Sequence, residues 1–198
     1  IQSIKDVYDD SFGVDISSQD IENMLQQQYP TLNSHVFEKM QATIEEARIN
    51  CDSVGGMIEC AILNVPAGIG NPFFDSIESH LSPLLFSIPA VKSVSFGLGE
   101  KITELYGHEA NDCYYYDDEK VKTKTNHNGG ITGGISNGMP IIFRVGIKPT
   151  PSISQVQQTV NIKTKENTEL EIIGRHDPCI VPRAVVVVES MAALGILD

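Results

Sequence analysis

The chain has 198 residues, 41% of them hydrophobic and 20% charged, which is an ordinary balance for a globular protein. This length allows one or two domains with a substantial core. A net charge of −12 argues against nucleic acid as a partner. The charge is uneven, because residues 1–120 carry 20 acidic and 6 basic side chains, whereas residues 121–198 carry 6 acidic and 8 basic ones. We therefore expect any anionic small ligand on the C-terminal part.

The apolar stretches and the cysteines disfavour two further classes of protein. The longest apolar stretch, residues 184–197, is too short for a membrane span and contains Glu189. The four cysteines and five histidines form neither a C-x-x-C pair nor the spacing of a zinc site, so we expect no bound metal. Scattered cysteines are typical of reduced thiols, which predicts a cytoplasmic protein.

The first hundred residues predict two helices and two strands after a polar segment with weak helical signals. Asn33 is expected to cap a helix that runs to about Asn50. A buried strand is predicted over residues 57–65 and another over residues 91–96. Between them, Asn71 and Pro72 are expected to begin a helix. Its predicted inner face contains Phe73, Ile77, Leu81 and Leu84.

The remaining residues predict a long loop, three strands and a helix. Residues 97–138 show no periodicity, and residues 141–148 alternate so that Arg144 and Lys148 share the face opposite the apolar side chains. Residues 156–163 and 170–173 suggest a hairpin. The valines of residues 185–197 would suit a strand, but the length of this segment favours a buried helix. The fold class is therefore α+β.

Three segments could carry chemistry. Residues 128–138 contain five glycines, which expose backbone N–H groups and could approach a phosphate or a flat ring, or could form only a mobile loop. In residues 148–153 a lysine is followed by two prolines that alternate with hydroxyl side chains, which suits either a prepared phosphate site or a rigid turn. Residues 174–179 bring a base, an imidazole, an acid and a thiol together.

In this last segment each side chain has two interpretations. Arg175 suits anion binding and Asp177 suits proton transfer, but the two could also form a structural ion pair. His176 is more often structural than catalytic. Cys179 precedes a predicted helix that could activate it, although a packed thiol is favoured. A fourth segment, residues 52–56, looks like a turn or a cap.

These four segments, in this order, resemble the chorismate synthase family. Residues 65–70 and 87–92 match the family as well. The resemblance implies a β-α-β sandwich in which antiparallel sheets pack on buried helices, assembled as a homotetramer. It also implies a lyase of the shikimate pathway and aromatic amino acid biosynthesis. The reaction is a 1,4-anti elimination of phosphate that converts 5-enolpyruvylshikimate 3-phosphate, an anionic small molecule, to chorismate. Reduced FMN is required, and whether the same protein reduces the flavin with NADPH stays open.

The resemblance also implies roles for particular residues. Asp177 is expected to relay a proton beside the flavin, and no metal ligand is implied. The expected FMN contacts are Gly133, Lys148, Pro149, Thr150, Pro151, Ser152, Arg175 and, through the backbone, Pro89 and Ala90.

The resemblance covers only the C-terminal portion of the family, from about Cys51 onward. We expect residues 1–198 to form a single partial domain, with a weakly matching helical lead-in over residues 1–50 and a core with FMN-binding loops over residues 51–198. The two family histidines implicated as acids are not found here. This piece is therefore expected to bind FMN weakly and to be inactive alone. The alternatives are a non-catalytic flavin- or phosphate-binding module and a structural domain with rigid turns.

Overall fold

A computed structural model describes residues 1–27 and 29–197 and shows a central antiparallel sheet with helices on one face. In chain order the elements are β1 (Ser3–Ile4), β2 (Val7–Tyr8), α1 (Ser18–Leu25), α2 (Ser34–Ile49), β3 (Gly56–Ile62), α3 (Ile77–Phe86), β4 (Val91–Phe96), α4 (Gly107–Ala110), β5 (Tyr114–Asp117), β6 (Lys120–Thr123), β7 (Ile131–Thr132), β8 (Ile135–Ser136), β9 (Ile141–Ile147), β10 (Gln157–Asn161), β11 (Glu166–Leu170) and α5 (Val181–Leu197). The five-stranded sheet has the order β2-β1-β3-β9-β4, and three separate hairpins pair β5 with β6, β7 with β8 and β10 with β11.

Alternating side chains on β9 explain which face of the sheet is covered. Ile141, Phe143, Val145 and Ile147 are buried in the core, as the alternation predicts. Their face packs against α3 and α5, and Met40 of α2 joins the same cluster. This arrangement is α+β, with an antiparallel sheet packed on helices, and confirms the predicted fold class.

The opposite face of the sheet holds a charged pair. Arg144 stands directly across from Glu59 on β3, with 2.6 Å between Arg144 Nη2 and Glu59 Oε1. Burial raises the pKa of the Glu59 carboxyl, although a hydrogen bond from the Phe12 N–H and the nearby guanidinium oppose this shift. The prediction that Arg144 lies away from the apolar side chains is therefore correct.

One of the three predicted helices has the expected start and two do not. The Asn33 side chain caps α2 by accepting from the His35 N–H at 3.0 Å. The C-terminal helix is confirmed and begins four residues earlier than expected, at Val181. The predicted start of α3 is wrong, because Ser76 caps this helix and Phe73 lies before it in a short 3-10 turn, 87% exposed and with φ +64°.

The long loop predicted over residues 97–138 is also wrong in part, because α4 and two hairpins lie within it. Strands of two to four residues are too short to show a periodicity. For the same reason β1 and β2 were missed, although β1 extends the sheet by pairing with Gly56 and Met57 of β3. The last hairpin is present, but β11 begins at Glu166, before the predicted residue 170.

Membrane insertion and metal binding find no structural support in the described residues. Within residues 1–27 and 29–197, no helix has both the length and the apolar character of a membrane span. The same residues contain no group of three or more His, Cys, Asp or Glu side chains arranged to hold a metal ion.

Candidate functional site

The segments singled out in the sequence meet where β9 ends. The Ser53 hydroxyl donates to the Thr150 carbonyl at 2.6 Å, over 97 residues of intervening chain. The Val54 N–H donates to the Pro178 carbonyl at 2.8 Å. These bonds join three of the four segments into one structure. We call it the loop cluster, and it consists of residues 52–56, 88–90, 148–154 and 172–179.

Ala90 belongs to the loop cluster through its backbone. Its carbonyl accepts the Lys148 N–H at 3.0 Å. Ala90 has φ +73°, a left-handed conformation that L-residues other than Asn and Asp rarely adopt. The neighbouring Pro89 is exposed. A non-glycine residue held in this region is typical of backbone that serves a site, provided that surrounding contacts support it.

Gly55 shows why residues 52–56 contain glycine. A Cβ on Gly55 would lie 2.3 Å from the Ile147 carbonyl oxygen and 3.0 Å from Pro149 Cδ. The first of these separations is impossible for real atoms, so only glycine lets this turn pack against the end of β9. The segment that looked like a turn or a cap is therefore a support for the Lys148 loop.

The loop cluster contains cationic groups that no acid neutralises. Among the described residues, the side chains of Lys148 and Arg175 have no ion-pair partner. Arg175 is exposed and Lys148 is partly exposed. The Thr150 hydroxyl is buried, and no described residue bonds to it. Unpaired cations beside an unsatisfied hydroxyl form a donor set that suits an anion such as a phosphate.

His176 connects two of the loops. Its Nε2 lies 2.8 Å from the Ile172 carbonyl oxygen, and its Nδ1 lies 3.2 Å from Ser152 Oγ. Because a carbonyl oxygen can only accept, Nε2 carries a proton and donates to Ile172. The ring thus bridges the Ser152 loop and the start of the Gly174 segment, which is the structural role expected for it.

Asp177 contacts a different base from the one that the sequence suggested. Its carboxylate forms an ion pair with Arg183 in the first turn of α5, and the described residues show no pair between Asp177 and Arg175. The side chain of Asp177 is 43% exposed, so this pair adds little to stability. The ion pair with Arg183 orients Asp177 and leaves the Arg175 guanidinium available to bind an anion.

Cys179 is packed in the core rather than activated. Its side chain belongs to the buried cluster with Val181. Burial raises the pKa of the Cys179 thiol, although a backbone hydrogen bond from Val181 opposes the shift. A thiol with a raised pKa is a poor nucleophile at neutral pH. The favoured interpretation of this residue is therefore confirmed.

Gly133 lies away from the loop cluster. It is exposed at the tip of the β7–β8 hairpin, with φ +63° and no atom within 4 Å of where a Cβ would stand. The next residue, Gly134, accepts the Ile77 N–H at 3.1 Å, at the first residue of α3. Ala90 follows the other end of this helix, and ten residues of helix span about 15 Å. Gly133 and Lys148 therefore lie at opposite ends of α3.

Asp112 organises the turn before the glycine-rich segment, a role that no sequence motif indicates. Its carboxylate accepts from the Thr125 hydroxyl, the His127 N–H, and the backbone and side-chain N–H groups of Asn128. Burial opposes ionisation of Asp112, but these hydrogen bonds prevail and lower the pKa of its carboxyl. The contact joins residues 13 to 16 positions apart without any repeating pattern.

An antiparallel sheet with helices on one face, whose strand β9 ends in a cluster of polar loops, defines an α+β protein with a loop-built site. The chorismate synthase family model matches residues 1–198. The chorismate synthase of Methanocaldococcus jannaschii is 51% identical over 170 residues, which cover 85% of this chain and 44% of that protein. The chorismate synthase of Korarchaeum cryptofilum is 51% identical over 166 residues, which cover 84% and 46%.

A solved structure agrees with these sequence matches. It is described as "Crystal Structure of Chorismate Synthase" and has a TM-score of 0.67 at 28% identity, covering 84% of this chain and 43% of that one. The chain belongs to the chorismate synthase family, whose members are lyases of the shikimate pathway. It spans less than half the length of these curated relatives.

Proposed function

We propose that this chain is the cofactor-bearing part of a chorismate synthase, which converts 5-enolpyruvylshikimate 3-phosphate to chorismate with reduced FMN. The observation that carries the proposal is the loop cluster, whose described residues include Lys148 and Arg175 without ion-pair partners and a Thr150 hydroxyl without a hydrogen-bond partner. Membership of the chorismate synthase family supports the proposed reaction. When bound, reduced FMN would supply electron density for the departure of phosphate without net redox change.

The Lys148 loop is proposed to hold the phosphate end of FMN. Lys148 contributes a point charge, and the hydroxyls of Thr150 and Ser152 contribute hydrogen-bond donors. Pro149 and Pro151 restrict the backbone between them, so that little freedom is lost on binding. Arg175, on the adjoining loop, is proposed as a second cation, and the backbone of Pro89 and Ala90 as a further contact.

Gly133 and Asp177 have the other proposed roles. FMN is elongated, with a phosphate at one end and a flat ring at the other, so Gly133 could approach a part of the cofactor that the Lys148 loop does not reach. Asp177 is proposed to relay a proton beside the flavin, oriented by its contact with Arg183. Homotetrameric assembly and a cytoplasmic location are proposals of the same kind, based on the family.

The second candidate is a non-catalytic flavin- or phosphate-binding module. The same unpaired cations favour it, because binding needs only the loop cluster. Cofactor affinity does not distinguish the two candidates, because both bind through the loop cluster. The measurement that distinguishes them is turnover by a protein that contains this chain together with the remaining length of a chorismate synthase.

Replacing Lys148 with Ala is expected to weaken binding of FMN. Loss of one hydrogen bond to a charged group is worth about 1.5–3 kcal/mol, or about tenfold to a hundredfold in the dissociation constant. The measurement is titration of FMN fluorescence with the purified chain. Lys163→Ala, in the exposed turn between β10 and β11, is the control and should bind as the unchanged chain does. Equal affinities in both variants would remove Lys148 from the site.

The isolated chain is expected to show no turnover of 5-enolpyruvylshikimate 3-phosphate in the presence of reduced FMN. The reason is that the family's implicated acid histidines are not among the motifs found here. An anaerobic chorismate assay with the purified chain measures this, with a full-length chorismate synthase as the positive control. Sustained chorismate formation by the chain alone would show that its own residues provide the acids.

A further inference from the structure

We propose that His176 couples anion binding at the Lys148 loop to proton uptake, by controlling the direction of the Ser152 hydroxyl. This inference rests on the proposed function, because it takes the anion to be the phosphate of FMN. It assigns His176 as a positioning residue that acts through Ser152.

When His176 is neutral, the Ser152 hydroxyl proton is engaged in a hydrogen bond to the imidazole ring. Because Nε2–H donates to the Ile172 carbonyl, Nδ1 is unprotonated and can only accept. The neighbouring Ser152 Oγ, at 3.2 Å, then donates its proton to Nδ1. Ser152 presents only lone pairs to its other side, and lone pairs repel a phosphate oxygen.

Protonation of His176 reverses this bond without moving a heavy atom. Nδ1–H becomes a donor to Ser152 Oγ, while Nε2–H keeps its bond to Ile172. The Ser152 hydroxyl no longer donates to Nδ1, so its O–H group can donate a hydrogen bond to a phosphate oxygen. The imidazolium also adds a positive charge beside the loop. An anion therefore binds the protonated form better and, by linkage, takes up a proton from solvent when it binds.

Histidine is the group that can perform this function near neutral pH. The charged side chains on the segments that meet here are Asp52, Lys148, Glu171, Arg175, Asp177 and Arg183. Carboxylates ordinarily titrate below about pH 5, and lysine and arginine titrate above about pH 10. The His176 variants are therefore needed to separate the contribution of this side chain from those of the other titratable groups.

The experiment measures affinity for FMN between about pH 5.5 and about pH 8.5, the range in which histidine titrates, for the unchanged chain and two His176 variants. His176→Gln keeps a donor toward Ile172, and His176→Asn keeps an acceptor toward Ser152. If one of these variants fails to fold, the other still provides the test. Both lack the proton switch. The ratio of affinities between chain and variant cancels titration of the FMN phosphate. Riboflavin, which lacks the phosphate, is the second probe.

The expected result is that this ratio rises by about fivefold or more as the pH falls, in line with a typical coupling. Ser152→Ala should reduce the rise to the part that the charge of the imidazolium contributes, and riboflavin should show none. Nitrogen NMR of labelled histidine should find His176 protonated on Nε2 at high pH, and FMN should increase its doubly protonated fraction at pH about 7.

Three results would count against the coupling. If FMN binds but the ratio does not change with pH, or if the neutral ring carries its proton on Nδ1, the coupling is wrong while the proposed function stands. If the unchanged chain binds no FMN at any pH, the proposed cofactor site fails and the coupling fails with it.

Discussion

Replacing Arg144 with Met is expected to lower the free energy of unfolding by about 3 kcal/mol near neutral pH, which is typical of breaking a buried ion pair. The variant leaves the Glu59 carboxylate, whose side chain is 3% exposed, without its cation. The Phe12 N–H, at 2.8 Å, and the Ser11 side chain continue to stabilise the charge. Arg144 also donates to the Gly97 carbonyl, so the end of β4 loses a contact as well.

The loss should depend on pH in a defined direction. Burial already raises the pKa of Glu59 in the folded chain, and removal of the guanidinium raises this pKa further. Below the unfolded pKa both states are protonated, and no penalty arises. As the pH rises toward the folded pKa, the unfolded state loses its proton first, so stability falls. The variant should therefore be closer to the unchanged chain at about pH 5.5 than at about pH 7.5.

Urea unfolding at the two pH values measures this, with the double variant Glu59→Gln/Arg144→Met as the matched control. The double variant removes the buried charge together with its partner, so it should recover most of the loss and should recover more at about pH 7.5 than at about pH 5.5. A deficit of Arg144→Met that is the same at both pH values would mean that the Glu59 carboxylate is not the source of the penalty.

The Arg144–Glu59 pair also shows which features an alternating sequence pattern predicts and which it does not. Alternation along residues 141–147 predicts the strand and its buried face, because side chains point to opposite sides with a period of two. The same alternation places Arg144 on the other face. It does not identify Glu59 as the partner, because the register between β3 and β9 is set by packing over more than 80 residues of intervening chain.

The candidate site shows the same division between local and distant information. The composition of residues 148–153 predicts a rigid loop with cationic and hydroxyl groups, and the charge distribution predicts that an anion would bind in this half. The bond between Ser53 and Thr150 was not predictable, because neither residue carries a local signal for the other. Arg175, two residues away, is one of the partners that the sequence allows for Asp177, but α5 begins early enough to bring Arg183 against it instead.

A substitution at Gly97 tests how closely the end of β4 packs against the turn at residues 127–129. Replacing Gly97 with Ala is expected to lower the free energy of unfolding by about 3 kcal/mol or more, the range that marks overpacking or backbone strain. Gly97 has φ +55°, and an added Cβ would lie 2.0 Å from the His127 carbonyl oxygen and 2.6 Å from the Gly129 nitrogen. Both atoms belong to the backbone, so the turn that Asp112 organises would have to separate from β4.

Gly133→Ala is the matched control for this variant. Gly133 has a similar φ of +63°, but no atom lies within 4 Å of its added Cβ. It should lose only the left-handed penalty of about 1–2 kcal/mol. Because the backbone strain is shared, the difference between the two variants in thermal or urea unfolding measures the clash alone. Equal losses would show that the turn at residues 127–129 is not packed against Gly97, and that these glycines serve only conformational freedom.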